Sequence, residues 1–173
     1  LKVDGKTRRQ LLLDILKAGE PVTGTSLARQ LKVSRQAIVG DIAILRAAGV
    51  EIYATPQGYM LPVAVKPGTI TAKIACRHGM DDTLAKELEI IVDNGGKVID
   101  VVVDHAVYGE LRGNLMLASR RDIAEFLRKL KDSGSSPLSL VTDGVHLHTI
   151  EVPSKEALTA IETELRAAGI LLD

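Results

Sequence analysis

Gly24-Thr25-Ser26-Leu27-Ala28-Arg29-Gln30-Leu31-Lys32-Val33-Ser34-Arg35-Gln36-Ala37-Ile38 is the stretch on which the fold of the first half turns. Leu27, Ala28 and Leu31 share one helical face. Ala28 is small enough to let two helices cross closely, and Lys32-Val33 reads as a tight connection. Ser34 is a good N-cap for a new helix that runs to about Ala48 and stops at Gly49. Its inward positions are Ile38, Ile42 and Leu45, with Ala37 between turns. This is the pattern of a helix-turn-helix. The second helix of that motif enters the major groove with its first turn beside the base edges. Ser34, Arg35 and Gln36 occupy that turn. Arg can take guanine O6 and N7, and Gln can take adenine N6 and N7. Arg46, Lys32 and Arg29 are candidates for phosphate contacts, which position a protein without reading sequence. The competing reading is a generic three-helix interaction domain.

Working outward, a helix over about Lys6–Ala18 carries Leu12, Ile15 and Leu16 at helical spacing and ends at Gly19. Downstream, Glu51–Ala54 and Gly58–Leu61 flank Thr55-Pro56-Gln57, a hairpin or wing. Thr55 joins Ser34, Arg35, Gln36 and Arg46 in the expected DNA-facing set.

Charge supports this division. The 173 residues hold 22 Lys+Arg and 22 Asp+Glu. Residues 1–61 carry nine Lys/Arg against five Asp/Glu, net +4; residues 62–173 carry 13 against 17, net −4. The overall neutrality is thus a cancellation, and the basic half is the one expected to face nucleic acid. Leu61-Pro62-Val63-Ala64-Val65-Lys66-Pro67-Gly68 disfavours continuous helix and marks the boundary between domains expected at 1–61 and 69–173.

Composition excludes several classes. The apolar share of 46% argues for a folded chain. No apolar run approaches the roughly 20 residues needed to span a bilayer. Nothing near Leu1 resembles a signal peptide. The single cysteine, Cys76, forms no intrachain disulfide, which fits a reducing compartment, so a cytoplasmic protein is expected. Three Tyr, one Phe and no Trp speak against single-strand binding on aromatic platforms.

The second half alternates. Strands are expected over Thr69–Cys76, Lys97–Asp104, Glu110–Leu117 and His146–Val152, with helices over Asp82–Asp93, Ser119–Asp132 and Ser154–Ala168. The order β-α-β-β-α-β-α matches a ferredoxin-like βαββαβ motif with an added C-terminal helix. The fold class is therefore α+β: an N-terminal winged helix-turn-helix, then this domain.

That topology gathers the histidines. His78 follows the first strand of the second half and His105 follows the second. His146 and His148 open the fourth strand, which lies beside the first. All four fall at one end of the sheet, and His146 and His148, at i and i+2, share a face. The helix after the first strand brings Asp81, Asp82 and Glu87 to the same end. Imidazoles with a carboxylate suit Zn²⁺, Ni²⁺ or Fe²⁺, and His78, Glu87, His146 and His148 are the candidate ligands. The bland alternative is four separate surface histidines. The segment Asp104-His105-Ala106-Val107-Tyr108-Gly109-Glu110-Leu111-Arg112 is either a pocket lining or a polar hairpin turn; His105, Tyr108 and Arg112 are the candidate ligand-binding residues.

Several segments resemble one known family. Val33-Ser34-Arg35-Gln36-Ala37-Ile38-Val39-Gly40-Asp41-Ile42-Ala43-Ile44-Leu45-Arg46, with Tyr53-Ala54-Thr55-Pro56-Gln57-Gly58-Tyr59, looks like the helix-turn-helix of niacin-responsive repressors. Ile91-Val92-Asp93-Asn94-Gly95-Gly96, His105-Ala106-Val107-Tyr108-Gly109-Glu110-Leu111 and Gly144-Val145-His146-Leu147-His148-Thr149-Ile150-Glu151 look like their three-histidine domain. Ala106 stands where the family pattern usually has Pro. The resemblance implies a dimeric repressor of niacin-uptake and NAD-synthesis genes, not an enzyme. It also implies nicotinate as co-repressor, operator DNA as partner, and one divalent transition metal per chain on His78, Glu87, His146 and His148. The alternatives are a metal-responsive regulator, or a metal-assisted hydrolase fused to a DNA-binding module with Glu87 or Glu110 as base.

Overall fold

A computed structural model describes residues 4–79 and 81–172. The chain divides into two compact units, residues 1–64 and 65–173, each with its own hydrophobic core.

In the first unit, three helices form where the apolar spacing predicts. They are α1 (Gly5–Leu16), α2 (Gly24–Gln30) and α3 (Arg35–Ala47). Each begins on a side-chain cap. Asp4 accepts from Lys6 and Thr7 N–H, Thr23 from Ser26 N–H, and Ser34 from Ala37 N–H. Leu12, Leu16, Leu27, Ala28, Ile38, Ile42, Leu45 and Ile52 close the core. Asp41 is buried on α3 and takes Arg8 Nε at 2.5 Å and Arg9 Nη1 at 3.5 Å, pinning α1 to α3 by charge as well as by packing. The wing is β1 (Tyr53–Thr55) and β2 (Gly58–Met60), antiparallel. Val22 adds a bridging residue to it by exchanging backbone hydrogen bonds with Tyr59, both at 2.9 Å. Gly58 permits that approach: a Cβ there would lie 2.5 Å from the Val22 carbonyl carbon, and its φ is +136°.

The second unit is a four-stranded antiparallel sheet with helices. Its elements are β3 (Ile70–Arg77), α4 (Thr83–Asp93), β4 (Lys97–His105), β5 (Gly109–Leu117), α5 (Arg120–Ser133), a 3₁₀ turn (Leu138–Thr142), β6 (Val145–Val152) and α6 (Lys155–Ala167). The βαββαβ order and the added helix are as expected from the sequence. The strand order is β3-β6-β4-β5. The last strand therefore lies inside the sheet, between the two parallel strands of the split βαβ, where a ferredoxin-like sheet has it at the edge. Inserting β6 there puts its core-facing residues, His146, His148, Ile150 and Val152, in the middle of the packed face. Its alternate residues Val145 and Leu147 are exposed on the other face. The outer edge of β3 is covered by the end of the chain: Arg77 N–H donates to Ile170 O and Leu172 N–H to Ala75 O, both at 2.9 Å.

Candidate metal centre and nucleic-acid interface

Two strand pairs of identical spacing build the centre. Cys76 faces the core from β3, and His78 follows two residues later. His146 and His148 face the core from β6. Cys76 is the register partner of His146, so both pairs present donors to the same side. Glu87 reaches them from α4. His78, Glu87, His146 and His148 are all buried, Glu87 completely.

The distances converge on the Glu87 carboxylate. His78 Nε2 lies 2.6 Å from Oε2, His146 Nε2 lies 3.1 Å from Oε1, and His148 Nε2 lies 3.6 Å from Oε2. The rings meet edge to face, with centroids 4.9 Å apart for His78–His146 and 4.8 Å for His146–His148. His148 Nε2 is a buried nitrogen with no hydrogen-bond partner.

The other ring nitrogens fix the chemistry. Nδ1 of His78 donates to Gly79 O at 2.9 Å, that of His146 to Gly144 O at 2.8 Å, and that of His148 to Asp100 O at 2.6 Å. A carbonyl only accepts, so each Nδ1 carries a proton. Each neutral ring must then present a bare Nε2 lone pair to a carboxylate. That arrangement holds together only if protons or a cation stand between. Burial opposes charging His78 and His148, yet their contacts with Glu87, helped by the Gly79 and Asp100 carbonyls, raise both pKa values above the usual imidazole range. Burial pushes the Glu87 carboxyl up, but the three imidazoles outweigh it and hold it well below its ordinary value. Several buried imidazolium ions around one carboxylate is a costly arrangement. One divalent cation would serve in place of them all, held by three neutral Nε2 donors and an anionic oxygen. Nδ1 tethered to carbonyls is the usual outer support of metal-binding histidines. The residues present fit such an ion.

Cys76 belongs to the same cluster and has no part in the expected ligand set. Its sulfur, a Glu87 oxygen and a His146 nitrogen lie within 4.8 Å of one another. Burial pushes its thiol pKa far up, and the neighbouring Glu87 adds to the rise. The signal was present in the sequence, since Cys76-x-His78 repeats the spacing of His146-x-His148.

The expected ligand-binding trio is not gathered at the cluster. His105 lies at the same end of the sheet, but its Nδ1 accepts the Val107 and Tyr108 N–H groups of the β4–β5 turn, at 3.0 and 3.2 Å. Tyr108 packs on the His105 ring and is 75% exposed. Arg112 binds Asp100 Oδ2 at 2.8 Å and Glu110 at 3.4 Å. A cavity of about 450 Å³ nearby is lined by Val102, Asp104, Glu110, Val145, Leu147 and others, without any of the three.

On the first unit, Ser34, Arg35 and Gln36 are exposed at the start of α3, with Ser34 as its cap. Two other expected DNA contacts have internal duties. Arg46 donates Nε and Nη2 to Ile52 O at 3.0 and 2.6 Å, tying α3 to the wing. Thr55 Oγ1 bonds the Gly58 carbonyl at 2.9 Å and closes the hairpin.

A capped recognition helix with a wing, followed by a domain whose centre is a histidine cluster, defines a DNA-binding regulator. Residues 8–60 match an HTH domain and residues 71–173 match the 3H domain. The chain is 40% identical to the probable transcription repressor NiaR of Thermotoga maritima, over 100% of this chain and 98% of that relative. It is 41% identical to the transcription repressor NadR of Bacillus subtilis, over 99% and 97%. The chain belongs to this NiaR/NadR family of transcription repressors, and it is a regulator rather than an enzyme. Among the described residues, no helix is long and apolar enough to cross a membrane.

Proposed function

We propose that this repressor binds operator DNA as a cytoplasmic homodimer in response to nicotinate, and that it controls niacin uptake and NAD biosynthesis genes. His78, Glu87, His146 and His148 hold one divalent transition metal per chain (Zn²⁺, Ni²⁺ or Fe²⁺). Such an ion supplies a fixed positive centre. The observation that carries the reading is the set of three inward Nε2 atoms around a buried carboxylate, in a domain joined to a helix-turn-helix. Resemblance to niacin-responsive repressors supports nicotinate as the effector. Its carboxylate or ring nitrogen is held by the metal or by His105, Tyr108 or Arg112. The reading helix contributes Ser34, Arg35 and Gln36, with Arg46 and Thr55 holding the wing. Two such helices, about one helical turn apart, suit a palindromic site. Nicotinate acts by binding the DNA-competent state better than the alternative.

Gel-shift affinity for a palindromic operator, measured with metal-loaded and chelator-treated protein, tests this. A rise in affinity with nicotinate supports the proposal. If chelation abolishes binding and nicotinate does nothing, the metal itself is the signal.

A further inference from the structure

The β4 strand is irregular where it passes His148. Val98 pairs with Ile150 and Val102 with Leu147, so β4 has one residue too many between them. Asp100 lies in this bulge, and its side chain is buried at 1% exposure. Bulges beside functional sites re-aim groups that a regular ladder would keep occupied. Here the exchange can be followed atom by atom. Thr149 N–H, on β6, donates to the Asp100 carboxylate at 2.9 Å. The Asp100 carbonyl instead accepts His148 Nδ1–H at 2.6 Å. The second carboxylate oxygen takes Arg112 Nη1 at 2.8 Å. Arg112, the register partner of Val102 on β5, is half exposed.

We propose that Asp100 is the positioning residue of the metal centre. Its carboxylate substitutes for a ladder acceptor, which frees its carbonyl to hold His148 in the tautomer that aims Nε2 at Glu87. Arg112 pins that carboxylate from the outer face of the sheet. The residue touches no ligand atom of the cluster through its side chain; it acts through His148. The inference rests on the proposed metal centre for its consequence, but the tethering of His148 stands without a metal.

The test uses the full chain with Asp100→Ala, Asp100→Asn and Arg112→Met. In chelator-treated protein, the His148 Nδ1–H resonance is followed by NMR. In protein titrated with Co²⁺, affinity and the visible d–d spectrum are recorded. Asp100→Ala is expected to lose the slowly exchanging Nδ1–H signal, to weaken Co²⁺ by about 10–100-fold, the usual effect of removing an outer-sphere partner, and to alter the spectrum. Asp100→Asn keeps an oxygen for Thr149 and is expected to restore the signal and much of the spectrum. Arg112→Met gives a smaller loss in the same direction. If Asp100→Ala does not fold, Arg112→Met decides: wild-type signal, affinity and spectrum in that variant overturn the role of the pinned carboxylate. A folded Asp100→Ala with a wild-type Nδ1–H signal overturns the proposal outright. Failure of the wild type to bind Co²⁺ overturns the metal centre instead, and the NMR result then still decides the tether.

Discussion

Replacing Glu87 with Gln removes the charge on which the cluster depends and keeps the shape. In metal-free protein, Glu87 keeps His78 and His148 protonated above the usual imidazole range. An unfolded histidine titrates near about pH 6.5. A raised folded-state pKa contributes stability that is fully present below the unfolded value and is lost as pH rises through the folded one. Within that window the native state holds the extra protons, so unfolding free energy falls by about 1.4 kcal/mol per pH unit for each. Two such histidines give a slope of up to about 2.7 kcal/mol per pH unit. For a domain near 100 residues, 1 kcal/mol moves the melting temperature by about 4–8 °C. Thermal unfolding of chelator-treated protein between about pH 6 and about pH 9 should therefore show a clear decline in Tm with pH. A divalent ion at the alkaline end should reverse it, because the ion replaces the lost protons. Glu87→Gln offers an amide N–H to an imidazole lone pair and no charge, so its slope should flatten and the metal should restore little. An unchanged slope in Glu87→Gln would refute the reasoning, since the protons would then be held by something other than this carboxylate.

Arg35→Ala should weaken operator binding by about 1–3 kcal/mol and relax specificity at one base pair; competition gel shifts with single-base operator variants check this, and intact sequence preference contradicts it. Asp41→Asn removes the buried negative charge and one of the two carboxylate oxygens that hold Arg8 and Arg9, and should cost the first unit about 1.5–3 kcal/mol in urea unfolding. The loss stays below that of a fully enclosed pair because both guanidiniums can turn to water. Gly144→Ala places a Cβ 2.1 Å from His78 O at φ +88°, so backbone strain of at least about 1 kcal/mol and a displaced His78 should lower Co²⁺ affinity; isothermal titration reads this directly. Residues 1–64 alone should bind DNA weakly, with a salt slope of about −1.8 if Arg29 and Lys32 each meet one phosphate; full operator affinity in that fragment would show that the second unit adds no dimer contacts.

The periodic features of this chain were readable because each obeys a local rule. Ser34, Ser119 and Ser154 cap helices that begin at the next residue, and Asn94-Gly95-Gly96 ends α4 through Gly96 N–H on Ile91 O. The histidine end of the sheet was readable because strand direction follows from the element order alone. Glu87 was within reach because the helix after the first strand of the second half starts at the histidine end of the sheet. What escaped depends on pairing between distant segments. Val22 joins the wing only because Gly58 lets it approach. Arg46, which composition suggests as a phosphate contact, is committed to a carbonyl six residues on.

Asp100 shows most clearly why part of the site was not legible. In sequence it is one acid in a β-branched run, Val98-Ile99-Asp100-Val101-Val102-Val103, and period-two alternation gives no hint that its carbonyl is free. Its role appears only when β6 inserts beside β4 and the register slips by one residue. The ladder slips on the other side of β4 too, where Met116 takes a φ of +52° and β5 gains a residue between the Val98–Leu117 and Asp100–Asn114 pairs. Two strands thus distort around a buried carboxylate that a regular sheet would exclude. A distortion of that kind destabilises the sheet unless something is gained from it, and among the described residues it leaves Asp100 bonded to His148, Thr149 and Arg112. The acidic interruption of the apolar run is therefore best understood as part of the centre, reaching it through the backbone rather than through the side chain that a sequence displays.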